Sequence, residues 1–421
     1  MFPILKLFIA LYSSVFFLMT GLSLLNTFLS LRLSMEGIST QTTGVILTAY
    51  FMGLVCGTFF CKRVIRRVGH IRSFVAFCAL TTVMVMVHGL YLSPFLWTGL
   101  RFVSGISNMG LFMVIESWLN ECSGTDIRGR VFSIYMIMNY LGGSIGQTLL
   151  NAGDVETQTL YLVVGILMVL SIIPIALTHS IHPELPKAER IDLKTIIKKA
   201  PLGIMGCFAT GLMTSAFYTM GPVFAHQIGL NVSRLSWFMT LTVLGGLVFQ
   251  WPVGNFSDRF DRSLVLPALA LIVSGICIVI LAVPGNSFPL LLGLTTLFGG
   301  FIFTVYPVAV ARAHDMFEPQ DVVKVSSALL LAFGLGAVLG PVLASTFMNL
   351  NGSPYGFYYY YLCVSGLFGA GALVIRQREM VEIVPAEDQV DFVIMQETST
   401  VAMHMDPRLE TEEENHEEKG D

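Results

Sequence analysis

The sequence predicts an all-α membrane protein in which twelve transmembrane helices form two pseudo-symmetric halves of six. Its composition is the first reason: 54% of the 421 residues are hydrophobic and only 12% are charged, about half the charged fraction of a soluble domain. Twelve apolar segments, each long enough to cross a bilayer, are the second reason. The third is an internal repeat that relates the first six segments to the last six.

The twelve predicted spans follow one another along the chain with mostly short connections. A span needs about 20 largely apolar residues. The segments that meet this requirement lie near 5–30, 42–61, 73–92, 95–118, 130–152, 157–178, 201–224, 233–253, 264–284, 287–311, 324–348 and 355–375. The predicted division is a first bundle at 1–178, a polar linker at 179–200, a second bundle at 201–375 and an acidic tail at 376–421.

The repeat has a constant offset of 194 residues. Gly142 and Gly146 of span 5 fall on Gly336 and Gly340 of span 11, and Gly105 of span 4 falls on Gly299 of span 10. The same offset places Glu121 on Asp315 and Arg130 on Lys324. Parallel repeats of six spans are typical of one large class of secondary transporters.

Lys and Arg lie almost entirely in one set of alternate loops. The loops at 62–72, 128–130, 187–199, 259–262 and 312–324 carry sixteen of them, whereas the opposite loops carry only Arg32 and Arg234. Because cytoplasmic loops collect basic residues, we expect both termini to be cytoplasmic. The predicted location is the cytoplasmic (inner) membrane, with the protein as a multi-pass chain.

Four short motifs resemble those of the major facilitator superfamily over roughly residues 5–375. The stretch Gly254-x-x-x-Asp258-Arg259-x-x-Arg262 is similar to the family's cytoplasmic loop signature, with Asp261 where the pattern has glycine. The others are Arg101-x-x-x-Gly105, Glu121-x6-Arg128-Gly129 and Gly336-x-x-x-Gly340-Pro341. Residues 64–73 and 116–130 look most like the YcaD-like bacterial branch. The resemblance implies the twelve-helix fold of that family and transport by alternating access.

The acidic loop signature implies a cytoplasmic gate. A helix N-terminus attracts a carboxylate through its free N–H groups and its dipole. The resemblance implies that Asp258 meets the start of span 5 when the cytoplasmic side is closed, and that Arg259 and Arg262 reach acids on adjoining loops. The alternative is a solvated turn whose charges only fix the topology. The candidate gate residues are Gly254, Asp258, Arg259, Arg262, Arg66, Arg67, Glu121, Arg128, Arg130, Asp315 and Lys324.

The matching loop of the first half departs from the signature because its charges from 62 to 72 are all positive. The loop before span 11 carries Asp315, Glu318 and Asp321. We therefore expect Lys62, Arg66 and Arg67 to pair with these acids. Each exposed pair contributes only about 0–1 kcal/mol.

Two ionisable residues lie well inside the spans, both in span 4. Arg101 and Glu116 are 15 residues apart, about 22 Å along a helix, so they cannot pair. Ionisable groups at such positions are functional candidates, although Arg101 could instead be structural and Glu116 could belong to the gate. The candidate cavity residues are Asn26, Arg101, Asn108, Glu116, Asn139, Tyr218 and Tyr306. The alternative for the uncharged ones is a helix–helix hydrogen bond.

Small residues, the cysteines and the tail carry further indications. Gly105, Gly142, Gly146, Gly336 and Gly340 are candidate helix-packing positions. The seven cysteines show no C-x-x-C spacing, so neither a disulfide framework nor a metal site is indicated.

Residues 376–421 hold 14 acids against four Lys or Arg, and a composition of this kind favours disorder. The apolar patch from Val390 to Met395 leaves room for a short docking segment.

These features predict a secondary active transporter for a small organic solute. Motifs of metalloproteases and P-loop NTPases are absent from the sequence, and we expect no catalytic residues, no cofactor and no metal. The expected partners are the solute, the lipid bilayer and, if transport is proton-coupled, protons; no nucleic acid is expected, and the protein is expected to function as a monomer. A proton-independent facilitator, a receptor and an assembly factor are the alternatives on the same scaffold.

Overall fold

The protein is described by a computed structural model that covers residues 2–123, 127–177, 193–282, 287–350, 352–378 and 384–409. Most of the linker predicted at 179–200 and the last twelve residues of the tail lie outside this description. The helices are α1 (Phe2–Met35), α2 (Thr40–Val68), α3 (His70–Leu90), α4 (Pro94–Cys122), α5 (Arg128–Thr148), α6 (Thr159–Ala176), α7 (Leu193–Lys199), α8 (Pro201–Gln227), α9 (Val232–Arg259), α10 (Arg262–Ala282), α11 (Phe288–Ile302), α12 (Val305–His314), α13 (Val322–Leu350) and α14 (Gly356–Arg378).

Twelve long helical segments form the bundle within the described ranges, as the sequence predicts. Eleven of the described segments are long and apolar enough to cross a membrane, with α11 and α12 together forming one of them. The twelfth is α5, which has 21 residues but carries Arg128, Arg130, Asn139 and Gln147 and is therefore less apolar. It packs against α1 and α9 inside the bundle. The short α7 belongs to the linker.

The helix contacts of the first half recur in the second half. Helix α2 packs along α4 as α9 packs along α11, and α1 packs along α5 as α8 packs along α13. The pairs α3 with α6 and α10 with α14 are related in the same way. Contacts between the halves follow the same symmetry, since α2 meets α13 and α9 meets α5. This is the arrangement that the 194-residue repeat predicts.

The tenth span is broken in the middle, between α11 and α12. Pro307 has no backbone N–H, so it cannot donate to the carbonyl of Phe303 four residues earlier. That carbonyl instead accepts a hydrogen bond of 3.2 Å from the side-chain amide of Gln250 on α9. The break is thus satisfied by a neighbouring helix, as membrane interiors require.

The two halves touch at one end of the bundle, which we call the far end. There Ser34 lies 2.8 Å from the Nδ1 atom of His226, and Gln227 donates a hydrogen bond of 2.9 Å to Thr40. Ser236 on α9 also donates to the carbonyl of Gln147, at 2.8 Å. The opposite end carries the α2–α3, α4–α5 and α9–α10 connections and most of the Lys and Arg, and we call it the basic end.

Residues 384–409 of the tail differ from the disorder expected for 376–421. This segment turns back from α14 and enters the basic end between the halves. Its side chains at Val393, Met395, Ser399 and the short 3₁₀ turn Ala402–Met405 are mostly buried. Seven of the fourteen acids that suggested disorder fall within residues 410–421. The average composition of the tail therefore did not show that its middle part is apolar enough to pack against the bundle. The Val390–Met395 patch is the first part of that stretch.

Candidate functional site

Glu116 lies at the centre of a buried polar cluster. Glu116 is on α4, and its side chain has no exposed surface. One carboxylate oxygen accepts a hydrogen bond of 2.8 Å from the hydroxyl of Tyr135 on α5. The other oxygen accepts a hydrogen bond from the hydroxyl of Ser399 in the tail. A buried carboxylate held by two hydroxyl donors is a group that can exchange one donor for another as the conformation changes.

Arg101 belongs to a separate polar cluster inside the first half. Its Nη2 atom donates a hydrogen bond of 2.8 Å to the side chain of Asn26 on α1. Its guanidinium carbon lies 4.4 Å above the ring of Tyr50 on α2, a cation–π contact. Asn108 in turn donates to the Tyr50 hydroxyl at 3.4 Å. Arg101 therefore joins α1, α2 and α4 through side chains.

Several uncharged polar groups face the interior between the halves. The hydroxyl of Tyr306 and the Oδ1 atom of Asn139 are buried without a hydrogen-bond partner in the described part of the chain. The amide of Asn139 donates to the carbonyl of Tyr135 at 2.7 Å. Tyr218 is half-buried and packs against Phe303, with ring centroids 5.6 Å apart. Buried polar atoms without partners are unusual in folded proteins, so Tyr306 and Asn139 stay candidates for contact with a solute.

The acidic loop signature surrounds one buried arginine. Arg262 has no exposed surface, and its guanidinium contacts Asp258 at 2.5 Å and Asp315 at 2.5 Å. Its Nε atom donates to Ser257 at 3.1 Å. Burial raises the pKa of Asp315 above its usual value, while Arg262 opposes that rise. The buried charges of Arg262 and Asp315 are thus paired with groups of opposite sign, as buried charges require.

The tail binds directly to this signature. Arg262 donates a hydrogen bond of 2.6 Å to the carbonyl of Val390, and the Val390 N–H donates to Asp315 at 3.1 Å. The N–H of Phe392 donates to Asp258 at 3.1 Å. The ring of Phe392 covers Gly254, where an added Cβ would come within 2.5 Å of it. The signature residues Gly254, Asp258 and Arg262 thus form a seat for an extended peptide.

The other predicted gate residues make different contacts in this conformation. Lys324 pairs with Asp321 at 3.0 Å. Arg128 is half-buried. Five other gate residues have exposed side chains: Arg66, Arg67, Glu121, Arg130 and Arg259. The pairing of Asp258 with the start of α5, and that of the first-half loop with Asp315, Glu318 and Asp321, stay predictions for a state in which the basic end is closed.

A cavity of about 500 Å³ lies between α2 and α13 at the basic end. Basic side chains line it together with apolar residues of both helices, and the basic ones are Lys62, Arg63, Arg66 and Lys324. Glu397 and His404 of the tail form part of its wall. Burial raises the pKa of Glu397 to about 7, against the lowering effect of the nearby Thr214 hydroxyl.

The predicted packing glycines lie where helix backbones come close. An added Cβ on Gly142 would meet the carbonyl of Phe16 on α1 at 2.9 Å, and one on Gly146 would meet that of Thr20 at 2.4 Å. In the second half, an added Cβ on Gly336 would meet the carbonyl of Phe208 on α8 at 2.2 Å, and one on Gly340 would meet that of Leu212 at 2.5 Å. An added Cβ on Gly105 would meet the carbonyl of Tyr50 on α2 at 2.1 Å.

Three parts of the site were missing from the sequence-based candidates. Tyr135 is the partner of Glu116, and Tyr140 accepts a hydrogen bond of 2.9 Å from Gln250. The third is the tail segment around Ser399. Its run of hydroxyl-bearing residues at 398–400, next to an apolar stretch, was a usable indication, since such segments bury more easily than charged ones.

The sequence matches the family model described as Major Facilitator Superfamily at residues 11–236 and 203–402. The MFS-type transporter YcaD of Escherichia coli O45:K1 is 30% identical over 342 residues, which cover 80% of this chain and 88% of that protein. The MFS-type transporter YE1530 of Yersinia enterocolitica is 30% identical over 333 residues, or 78% and 85% of the two chains.

Solved structures show the same fold. The nucleoside transporter NupG superposes with a TM-score of 0.73 at 13% identity, covering 89% of this chain and 98% of NupG. A bacterial homologue of the human lysosomal transporter Spinster, in an inward-facing and occupied conformation, gives a TM-score of 0.66 at 14% identity, with 93% and 98% covered. Helix order, repeat and sequence relatives agree: the chain belongs to the major facilitator superfamily and is a multi-pass membrane transporter.

Proposed function

We propose that the protein is a secondary active transporter that moves a small neutral or anionic organic solute by alternating access. The observation that supports this most directly is the contrast between the two ends. Side chains of the two halves hydrogen-bond each other at the far end, whereas the tail separates them at the basic end. A polar interior with Glu116, Asn139 and Tyr306 lies in between. Alternating access requires this kind of one-sided closure.

The proposed orientation places the basic end in the cytoplasm, with both termini on that side. The Lys and Arg asymmetry supports it. Reporter fusions at Arg190 and Arg378 should both give cytoplasmic signals. A periplasmic signal at either position would contradict the proposed topology.

The central test of transport is counterflow. We would first screen the purified protein for thermal stabilisation by neutral and anionic metabolites, including nucleosides and fucose, the solutes named for the structurally similar NupG and FucP. Proteoliposomes preloaded with a stabilising solute should then accumulate labelled solute transiently. Saturable uptake with counterflow would establish a carrier. Solute binding without flux would favour a receptor.

Proton coupling is a finer part of the proposal. Glu116 is the one carboxylate that sits deep in the described spans with hydrogen bonds to two hydroxyl groups. Proton-coupled carriers use a protonatable group that alternates between the two sides. A proton-independent facilitator is the second candidate, with Glu116 acting only as a contact between the bundle and the tail.

A further inference from the structure

The tail segment from Val390 to Asp406 occupies the passage that a solute would use at the basic end. Its backbone is held by Arg262, Asp258 and Asp315 of the second half. Further along, Ser399 reaches Glu116 of the first half, and the N–H of Gln396 points at the sulfur of Met136 at 3.2 Å. The segment therefore crosses from one half to the other.

The bundle contacts the tail segment on both of its faces. The 3₁₀ turn Ala402–Met405 packs against α4, α5 and α13. Pro407 lies over Gly129, where an added Cβ would be 3.2 Å away, and Asp406 is buried while it pairs with Arg408 at 2.6 Å. Glycines stand at both edges of the seat, under Phe392 at one edge and under Pro407 at the other. The segment is therefore in close contact with the bundle from Phe392 to Pro407.

We propose that the basic end contains a peptide-binding site whose ligand is residues 390–406 of the same chain, and that the bound tail keeps this end from closing. The site consists of Gly254, Asp258, Arg262 and Asp315 on the second half and Glu116 with Tyr135 on the first half. The ligand is an extended apolar and hydroxyl-rich peptide that contributes two backbone N–H groups, one carbonyl and the Ser399 hydroxyl.

The consequence for closure follows from the shared partners. In the predicted closed gate, Asp258 meets the start of α5, but here the Phe392 N–H occupies it. The tail covers both partners of that contact, Asp258 through Phe392 and the start of α5 through Pro407 over Gly129, so the tail and the gate compete for the same space. The tail also lies between α4 and α9, in contact with Glu116 of one and Gly254 of the other, and closure would remove this space. A bound tail and a closed basic end are therefore mutually exclusive states.

Tail binding itself is independent of the proposed transport function; only its effect on closure rests on alternating access. The test uses the full chain and needs no substrate. In a background with Cys56, Cys122 and Cys363 replaced by Ser, Ser399→Cys reports tail release by its rate of thiol labelling. Spin labels at Arg72 on α3 and Leu264 on α10, in a separate protein, report the separation of the halves at the basic end.

The decisive variant is Phe392→Asp, with Asp391→Asn as its matched control. Phe392 covers Gly254, whereas Asp391 next to it is exposed. Loss of the phenylalanine contact weakens docking by about tenfold or more. We expect Phe392→Asp to speed labelling of the Ser399→Cys thiol at least about tenfold and to populate a shorter Arg72–Leu264 distance. Asp391→Asn should match the reference in both measurements.

Gly254→Ala tests the same contact from the side of the bundle, because the new methyl group would meet the Phe392 ring. It should also speed labelling. Equal labelling in the reference, Phe392→Asp and Asp391→Asn proteins would overturn the binding site. Faster labelling without the shorter distance would keep the binding site but overturn the claim that the tail prevents closure.

Discussion

At the scale of single residues, glycines decide how closely the helices approach. Gly53 on α2 and Gly105 on α4 face each other. An added Cβ on Gly53 would lie 2.1 Å from the carbonyl of Phe102, and one on Gly105 would lie 2.1 Å from that of Tyr50. Backbone atoms of neighbouring helices cannot move aside without shifting a whole helix, so small residues are required at such crossings.

Gly105→Ala should therefore destabilise the bundle by about 1–3 kcal/mol, the usual cost of overpacking. Gly99→Ala on the same helix is the matched control, since nothing lies within 4 Å of the position its Cβ would take. We would compare thermal unfolding of the two variants in the same detergent. Equal melting temperatures would show that the α2–α4 crossing can relax more than the backbone contacts suggest.

At the scale of elements, the tail segment carries its own titratable group. Glu397 lies next to Thr214 of α8, and its charge acts on Tyr140, Tyr218 and Tyr306. The charged groups around the same space are Lys62, Arg63, Arg66, Lys324 and His404 of the cavity wall, Glu116, and the Asp406–Arg408 pair. Burial raises the pKa of Glu397 from 4.5 to about 7 in the docked state.

The sign of the pH effect follows from that shift. A raised pKa means that the docked tail holds a proton which the released tail gives up. Docking is therefore strongest below pH 4.5, weakens as the pH rises to about 7 and levels off above that. The slope between these limits is about tenfold per pH unit. Labelling of Ser399→Cys, corrected for thiol ionisation with the same reagent on an exposed cysteine, should follow this curve.

Glu397→Gln is the control for the pH effect. It should remove this part of the pH dependence while keeping the tail docked, because a neutral amide needs no proton to be buried. If the reference and Glu397→Gln proteins show the same pH profile, another group controls release.

The elements also show what the sequence could and could not predict. The apolar segments and the 194-residue repeat predict the bundle, because each helix needs only its own length and composition to be recognised. The same holds for Gly142, Gly146, Gly336 and Gly340, which mark helix crossings. For the tail, the sequence indicates only a short docking segment at Val390–Met395; the place where it binds could not be predicted, because it depends on the shape of a seat built from α4, α5, α9 and α10. Glu116 was recognised as a candidate, whereas its partner Ser399, 283 residues away, was not.

At the scale of the whole molecule, the far end shows how the halves are joined in this conformation. The hydrogen bond between Gln227 of α8 and Thr40 of α2 connects the two halves directly. Alternating access requires this contact to break in each cycle. A short bifunctional crosslinker between Thr40→Cys and Gln227→Cys should therefore stop transport. Either single variant treated with the same reagent should keep its activity, and continued transport by the crosslinked double variant would contradict alternating access.

The energy source is the last question at this scale, and it centres on Glu116. The carboxylate contacts Tyr135 of the bundle and Ser399 of the tail, so it loses one donor whenever the tail leaves. In the proposed transport cycle, a released Glu116 is then open to a proton or a solute hydroxyl from the basic end. Arg101 is held by Asn26 and Tyr50 inside the first half, and it keeps its charge at any accessible pH, so it cannot carry the proton.

Glu116→Gln should separate coupling from translocation. The amide keeps the size of the side chain and can still bond to Tyr135, but it cannot exchange a proton. We expect uptake driven by a pH gradient to collapse while counterflow of the same solute persists. Asp391→Asn, which neutralises an exposed acid of the tail, is the control and should leave both activities intact. Equal loss of both activities in Glu116→Gln, or loss of neither, would remove Glu116 from proton coupling and favour a facilitator driven by the solute gradient alone.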